Sequence, residues 1–200
     1  MNKFVLFVVL SLTPLTIMAK SILVMGDSIS AAFGIEVQQG WVALLQNKLK
    51  DINSPYLIDN ESISGETSAG GLARIDSALQ KHLPEIVLLE LGANDGLKGL
   101  QPLAMKDNLT EIVRRAQKSG AQVLLLGMKI PPNYGKRYIE MFYAIYPQLS
   151  KELQIPYVPF ILEDVVLNPQ MMQADGLHPN AKAQPLIAEK IWQYLLPLLK

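Results

Sequence analysis

Five short apolar runs recur along the chain, and amphipathic segments separate them. The runs lie at residues 21–26, 56–58, 85–91, 122–126 and 155–158. Between them are segments with helical spacing. The first carries Trp41, Val42, Leu44, Leu45 and Leu49, and the second Leu72, Ile75, Leu79 and Leu83 behind a Thr67 or Ser68 cap. The others cover 103–118, 136–152 and 181–196. Strand followed by helix, repeated this way, requires crossover connections. It therefore predicts an α/β fold with a parallel sheet and helices on both faces. The run at 85–91 is apolar enough to be buried on both faces, as a central parallel strand must be.

The first nineteen residues stand apart. Lys3 precedes an almost unbroken apolar stretch at 4–12; Pro14 interrupts it, and Ile17-Met18-Ala19 follows. A cation, an apolar centre and a small residue before the first strand describe a secretory signal peptide. The stretch is short for a membrane span. We expect cleavage near Ala19, a periplasmic or secreted product over residues 20–200, and no membrane insertion afterwards. The chain has no cysteine, so disulfides and thiolate metal sites are excluded and an oxidising compartment is tolerated. Eighteen basic residues balance eighteen acidic ones, which argues against a nucleic-acid partner. A monomer acting on a small molecule is expected.

In a parallel sheet the loops after the strands open on one edge, where ligands bind. The first run ends in Gly26-Asp27-Ser28. Ser28 is the candidate nucleophile there; if a helix opened in the residues after it, the free N–H groups would favour negative charge nearby. A serine hydroxyl needs a base within reach. Only His82 and His178 supply an imidazole. His82 sits late in an amphipathic helix beside Lys81 and reads as a solvated residue. His178 can be the base, with Asp175 three residues earlier to fix its tautomer and stabilise its cation. A tetrahedral oxyanion needs donors, and the N–H groups of Ser28 and Gly65 with the Asn94 side-chain amide supply three. Each residue also has an ordinary reading: Ser28 a capping serine, Asn94 a turn residue, Asp175 a cap, His178 a satisfied surface histidine. Together, and in this order at strand ends, they favour catalysis.

Gly26-Asp27-Ser28, Gly65, Gly92-Ala93-Asn94-Asp95 and Asp175-Gly176-Leu177-His178 resemble the four sequence blocks of the SGNH (GDSL-type) hydrolases. Residues 64–71, 132–135, Tyr138, Phe142 and Tyr146-Pro147 extend the resemblance to a branch of secreted bacterial acyl esterases and thioesterases. The likeness covers essentially the whole mature chain; Ile29 stands where the first block usually has leucine. It implies a flavodoxin-like three-layer α/β/α sandwich with a mainly five-stranded sheet. It implies a Ser-His-Asp triad without metal or other cofactor, acting on acyl esters and thioesters such as fatty-acyl esters, lysophospholipids and acyl-CoA.

The segment 128–146 follows a strand end and is rich in apolar and aromatic residues. Ile130, Pro131, Tyr134 and Phe142, with Pro132, Met141 and Tyr143, are candidates to line an acyl channel, and residues 97–100 are another candidate wall. Packing of a helix on the sheet is the competing reading for Met141 and Phe142. Other readings remain at this stage: a sugar-ester deacetylase of the same mechanism, a phosphoesterase using a metal on Asp27, Asp95, Asp175 and His178, or a lipid-binding protein without catalysis.

Overall fold

The computed structural model describes residues 20–199. The expected leader lies outside them. Strand β1 (Lys20–Gly26) pairs with β2 (Tyr56–Asn60) on one side and β3 (Ile86–Glu90) on the other. Beyond β3 come β4 (Gln122–Leu126) and the short β5 (Tyr157–Val158). All pairings are parallel and the order is β2-β1-β3-β4-β5, as in flavodoxin-like sheets.

The helices form two layers. Helix α1 (Trp41–Asp51) packs with α6 (Gln184–Leu195), which also meets β4 and β5. Helices α2 (Ser68–His82), α4 (Pro102–Lys118) and α5 (Lys136–Leu153) pack side by side on the other face. Strand β3 is wholly buried, as its composition requires, and Leu88 and Leu89 are inaccessible. One core joins the sheet to both helical layers. Trp41, Leu45 and Leu49 fill it from α1, Ile75 from α2, Leu109, Ile112 and Val113 from α4, and Ile187 and Ile191 from α6.

The structure corrects three local expectations and decides one alternative left open, the course of the chain after Ser28. Residues 93–97 form a short helix, α3 (Ala93–Leu97), where a loop was expected. No helix opens directly after Ser28. The chain turns through residues 28–34, held by Ala31 N–H to the Asp27 carbonyl (3.0 Å) and Phe33 N–H to the Ser28 carbonyl (3.1 Å). Leu83 leaves the apolar face of α2: it is the left-handed C-cap (φ 44°) and is 79% exposed. His82 is not freely solvated. Its ring lies between Asp59 Oδ1 (3.3 Å, from Nδ1) and Glu61 Oε1 (2.6 Å, from Nε2), tying the end of α2 to the segment after β2.

Since β3 carries the centre of the core, Leu88→Ala should destabilise the protein by roughly 3 kcal/mol in urea titration. Leu57→Ala, on the half-exposed β2, should stay within about 0.5 kcal/mol.

Candidate active site

Sheet pairing assembles the site from below. The β1–β3 register sets Gly26 opposite Glu90, the last residue of β3. The Glu90 side chain is fully buried beneath the turn that follows β1. Its Oε2 accepts the Asp27 N–H (3.1 Å) and the Ser30 hydroxyl (2.7 Å). This contact explains the glycine. A Cβ at position 26 would stand 2.5 Å from Ser30 Oγ and 2.8 Å from Glu90 Oε2. Asp27, also buried, turns inward: Oδ1 accepts the Ile29 N–H (3.0 Å) and Oδ2 accepts the Asn94 side-chain amide (3.0 Å). Ser28 is thereby left facing outward at the sheet edge.

The electrostatics of the buried pair follow from its burial. Desolvation pushes the Asp27 carboxyl up to about 6, against hydrogen bonds from Ile29 and Asn94 that favour the ion. Desolvation and then the Asp27 charge push Glu90 well above the usual carboxylate range. Glu90 is wholly buried and faces the Asp27 charge, so of the two carboxyls it is the one that holds a proton. Glu90 Oε1 is buried with no hydrogen-bond partner among the described residues, a position that disfavours the charged carboxylate.

The second side of the site comes from the residues after β2. Ile63 N–H donates to the Gly26 carbonyl (3.0 Å) and lays this segment beside the Ser28 turn. Gly65 follows at φ +80°, in the left-handed region, with nothing within 4 Å of the position a Cβ would take. Its backbone conformation, rather than crowding by the protein, accounts for the glycine. Asp95 Oδ2 accepts the Ser68 N–H (2.8 Å) and Oδ1 accepts its hydroxyl (2.5 Å); Asn108 of α4 donates to the same hydroxyl (3.0 Å). This buried link fixes the start of α2 against α3, and so Gly65 against Asn94.

The third side is the loop before α6. Asp175 Oδ1 accepts the N–H groups of Leu177 (2.9 Å) and His178 (3.0 Å), and Oδ2 lies 2.6 Å from His178 Nδ1. These bonds, led by the His178 N–H, hold the Asp175 carboxyl down at about 2. An ionised carboxylate only accepts, so Nδ1 carries the ring proton and Nε2 is free to accept. Nε2 lies 2.9 Å from Ser28 Oγ. Gln173 clamps this loop to the first one: its amide donates to the carbonyls of Phe33 (2.7 Å) and Pro179 (3.1 Å), while its backbone N–H bonds the His178 carbonyl (2.8 Å). The Phe33 ring lies 4.6 Å from the imidazole, centroid to centroid.

Ser28, Gly65, Asn94 and His178 line one cleft of about 360 Å³, walled by Phe33, Leu97, Met128, Pro131, Leu162 and Leu177. Of the side chains expected in segment 128–146 Pro131 lines it, and Leu97 does so from the second candidate wall at 97–100. Ile130 and Phe142 are core residues behind the wall; Phe142 meets Tyr146 and Tyr143 edge-on at 5.8 and 6.1 Å. Tyr134 acts indirectly, its hydroxyl donating to the Leu97 carbonyl (2.8 Å). Pro132 and Met141 are exposed outside the lining, and Tyr143 donates to the Ile130 carbonyl (3.4 Å). Of the four residues considered for a metal, Asp27 and Asp95 are taken up by Asn94 and Ser68. Among the described residues no three His, Cys, Asp or Glu gather as a metal site.

Residues 24–185 match the family model described as GDSL-like lipase/acylhydrolase. The chain belongs to that family. The acylhydrolase is 50% identical to the esterase TesA of Pseudomonas aeruginosa over 181 residues, 90% of each chain. It is 45% identical to the thioesterase 1/protease 1/lysophospholipase L1 of Escherichia coli, over 90% of this chain and 86% of the relative. A crystal structure of the psychrotrophic esterase EstA from Pseudoalteromonas, inhibited by monoethylphosphonate, superposes with a TM-score of 0.86 at 43% identity, covering 90% of this chain and 98% of that one. The acylhydrolase is an enzyme of ester hydrolysis with the α/β sandwich of its relatives.

The sequence reading missed Glu90, Ser68, Asn108 and Gln173. Glu90 carried a signal: it is the single ionisable group inside the apolar run 86–91. The raised carboxyls of this acylhydrolase have a consequence for stability. A carboxyl whose pKa is higher in the folded state stabilises fully below its unfolded value, near 4, and that stability is lost as pH rises through the folded value. Glu90→Gln keeps an acceptor and a donor without the titration. Its melting temperature should therefore gain on wild type as pH is raised from about 5 to about 8; a flat or falling difference would contradict a protonated Glu90.

Proposed function

We propose that the enzyme cleaves acyl esters and thioesters through an acyl-enzyme on Ser28, with His178 as base and Asp175 as its orienting acid. The unbroken chain from Asp175 through His178 to Ser28, at 2.6 and 2.9 Å in a cleft with apolar walls, carries this reading. The Ser28 hydroxyl attacks the substrate carbonyl and passes its proton to Nε2. The oxyanion that forms is met by the N–H groups of Ser28 and Gly65 and by the Asn94 amide proton not committed to Asp27. Collapse expels the leaving group, which takes the proton from Nε2. Water, deprotonated by the same nitrogen, then releases the acid and restores Ser28.

The apolar wall supports fatty-acyl chains over acetyl. Leu97, Met128, Pro131, Leu162 and Leu177 offer it hydrocarbon contact, each buried methylene contributing about 0.8 kcal/mol. Fatty-acyl esters, lysophospholipids and acyl-CoA share this acyl part, and the Escherichia coli relative is named a thioesterase and lysophospholipase. The signal-like pattern read at residues 1–19 supports export and work outside the cytoplasm. Among the described residues no helix is long and apolar enough to cross a membrane.

With p-nitrophenyl esters from acetyl to palmitoyl, kcat/KM should peak above acetyl; a peak at acetyl would point to small or sugar esters. Asn94→Ala should fold and lose on the order of 10²–10³ in kcat, and wild-type turnover in it would remove Asn94 from the oxyanion site. His178→Ala should lose most turnover, whereas His82→Ala, its ring held at the far end of α2, should remain near wild type.

A further inference from the structure

Phe33 is a large apolar side chain left 49% exposed, and it is the one phenyl or phenol ring in the cleft lining. Its ring centroid lies 4.6 Å from that of His178, with the two planes 40° apart, nearer a stacked pair than an edge-on one. Asp175 and Ser28 hold the imidazole by its two nitrogens, which lie on its rim. Phe33 approaches it across the plane instead. The backbone is shaped to put the ring there. Ala32 sits in the left-handed region at φ +58°, which an L side chain adopts only under strain. Gly34 follows at φ +75°, and a Cβ on it would collide with Gln173 Oε1. The glycine lets Gln173 close on the turn, donate to the Phe33 carbonyl and hold the His178 carbonyl by its own N–H. One residue thus ties the backbone of Phe33 to that of His178.

We infer that Phe33 is a positioning residue for His178, its ring face steadying the imidazolium that forms as Ser28 attacks. The inference rests on the reading of Ser28 and His178 above. In that reading His178 is neutral before attack and cationic in the transition state. An aromatic face attracts a cation through its quadrupole and a neutral ring far less. A contact that strengthens between ground state and transition state accelerates the step. The aliphatic wall residues Leu97, Met128, Leu162 and Leu177 offer hydrocarbon to a substrate but no such preference. An aliphatic side chain at position 33 would shield the imidazole from water, and shielding alone opposes the charged form. Asp175 at Nδ1, the buried Asp27 of the Ser28 turn and Lys129 in the same lining also set the charge around this ring. None of them changes when residue 33 is replaced.

The test removes the quadrupole and keeps the shape. Phe33 is exchanged site-specifically for mono-, di- and trifluorophenylalanine, which weaken the negative ring face stepwise, and separately for Leu and Tyr. On p-nitrophenyl hexanoate, kcat/KM should fall in order of fluorination, to about threefold below wild type in the trifluoro variant and in Phe33→Leu. Phe33→Tyr should keep the wild-type value. The imidazole is read directly by NMR in the His82→Ala background, where His178 is the remaining histidine. The pH midpoint of its ring resonance should move down by about half a pH unit in the trifluoro variant and in Phe33→Leu. Lost cover alone would move it up, since water favours the charged ring. A midpoint that stays or rises, or a kcat/KM indifferent to fluorination, overturns the inference. If Ser28→Ala or His178→Ala keeps full turnover, the reading of the site itself fails. A site that needs both residues and is indifferent to the ring at position 33 defeats only the role of Phe33.

Discussion

The pairing of Gly26 with Glu90 across β1 and β3 is the constraint on which the site depends. It brings a buried carboxyl under the turn, and that carboxyl binds Asp27 N–H and Ser30 Oγ. The turn then has one way to run: Asp27 inward towards Asn94, Ser28 outward towards His178. A one-residue slip would reverse the facing of every side chain on β1. The parallel sheet thus does more than collect loops on an edge. It fixes which side chain of the Gly26-Asp27-Ser28 corner faces the solvent and which faces the protein.

Two kinds of carboxyl surround the nucleophile, and burial separates them. Asp175 is solvent-accessible and bound by N–H donors, so it stays ionised. Asp27 and Glu90 are buried against each other and pushed upward. The ionised one stands next to the imidazole, where the proposed mechanism forms a cation. The buried pair stands behind Asn94 and carries one negative charge rather than two, which limits its opposition to the oxyanion proposed to form there. Stabilisation and turnover are served by one arrangement: the proton on Glu90 removes charge from the core and leaves Asp27 to orient Asn94.

Much of this was legible in the sequence, because the fold speaks through periodicity. The apolar runs and the amphipathic spacing of α1, α2, α4 and α5 gave element order and a parallel sheet, and residues 28, 65, 94, 175 and 178 fell in the connections that follow strands, which the sheet gathers on one edge. What failed was local or purely three-dimensional. The five-residue α3 is too short to show a period. Leu83 fits the helical spacing yet lies one residue past the helix end. The acyl wall was sought in 97–100, from which Leu97 reaches the cleft, and in 128–146, where a strand end and an amphipathic helix present different faces: Pro131 reaches the cleft, while Phe142 and Ile130 point into the core. Leu162 enters the wall from a segment without periodicity, and Leu177 from the block read only for Asp175 and His178. Gln173 joins two loops 140 residues apart, a contact no local signal contains.

The central claim is that Ser28, primed by His178, is the group that takes the acyl chain. Incubating the mature protein with a monoethyl p-nitrophenyl phosphonate, then measuring intact mass and mapping the labelled peptide, tests it most directly. The account predicts one phosphonyl group per chain, on Ser28, with loss of esterase activity in proportion to labelling and no adduct in Ser28→Ala. Stoichiometric labelling at another residue, or activity that survives full modification of Ser28, would contradict it.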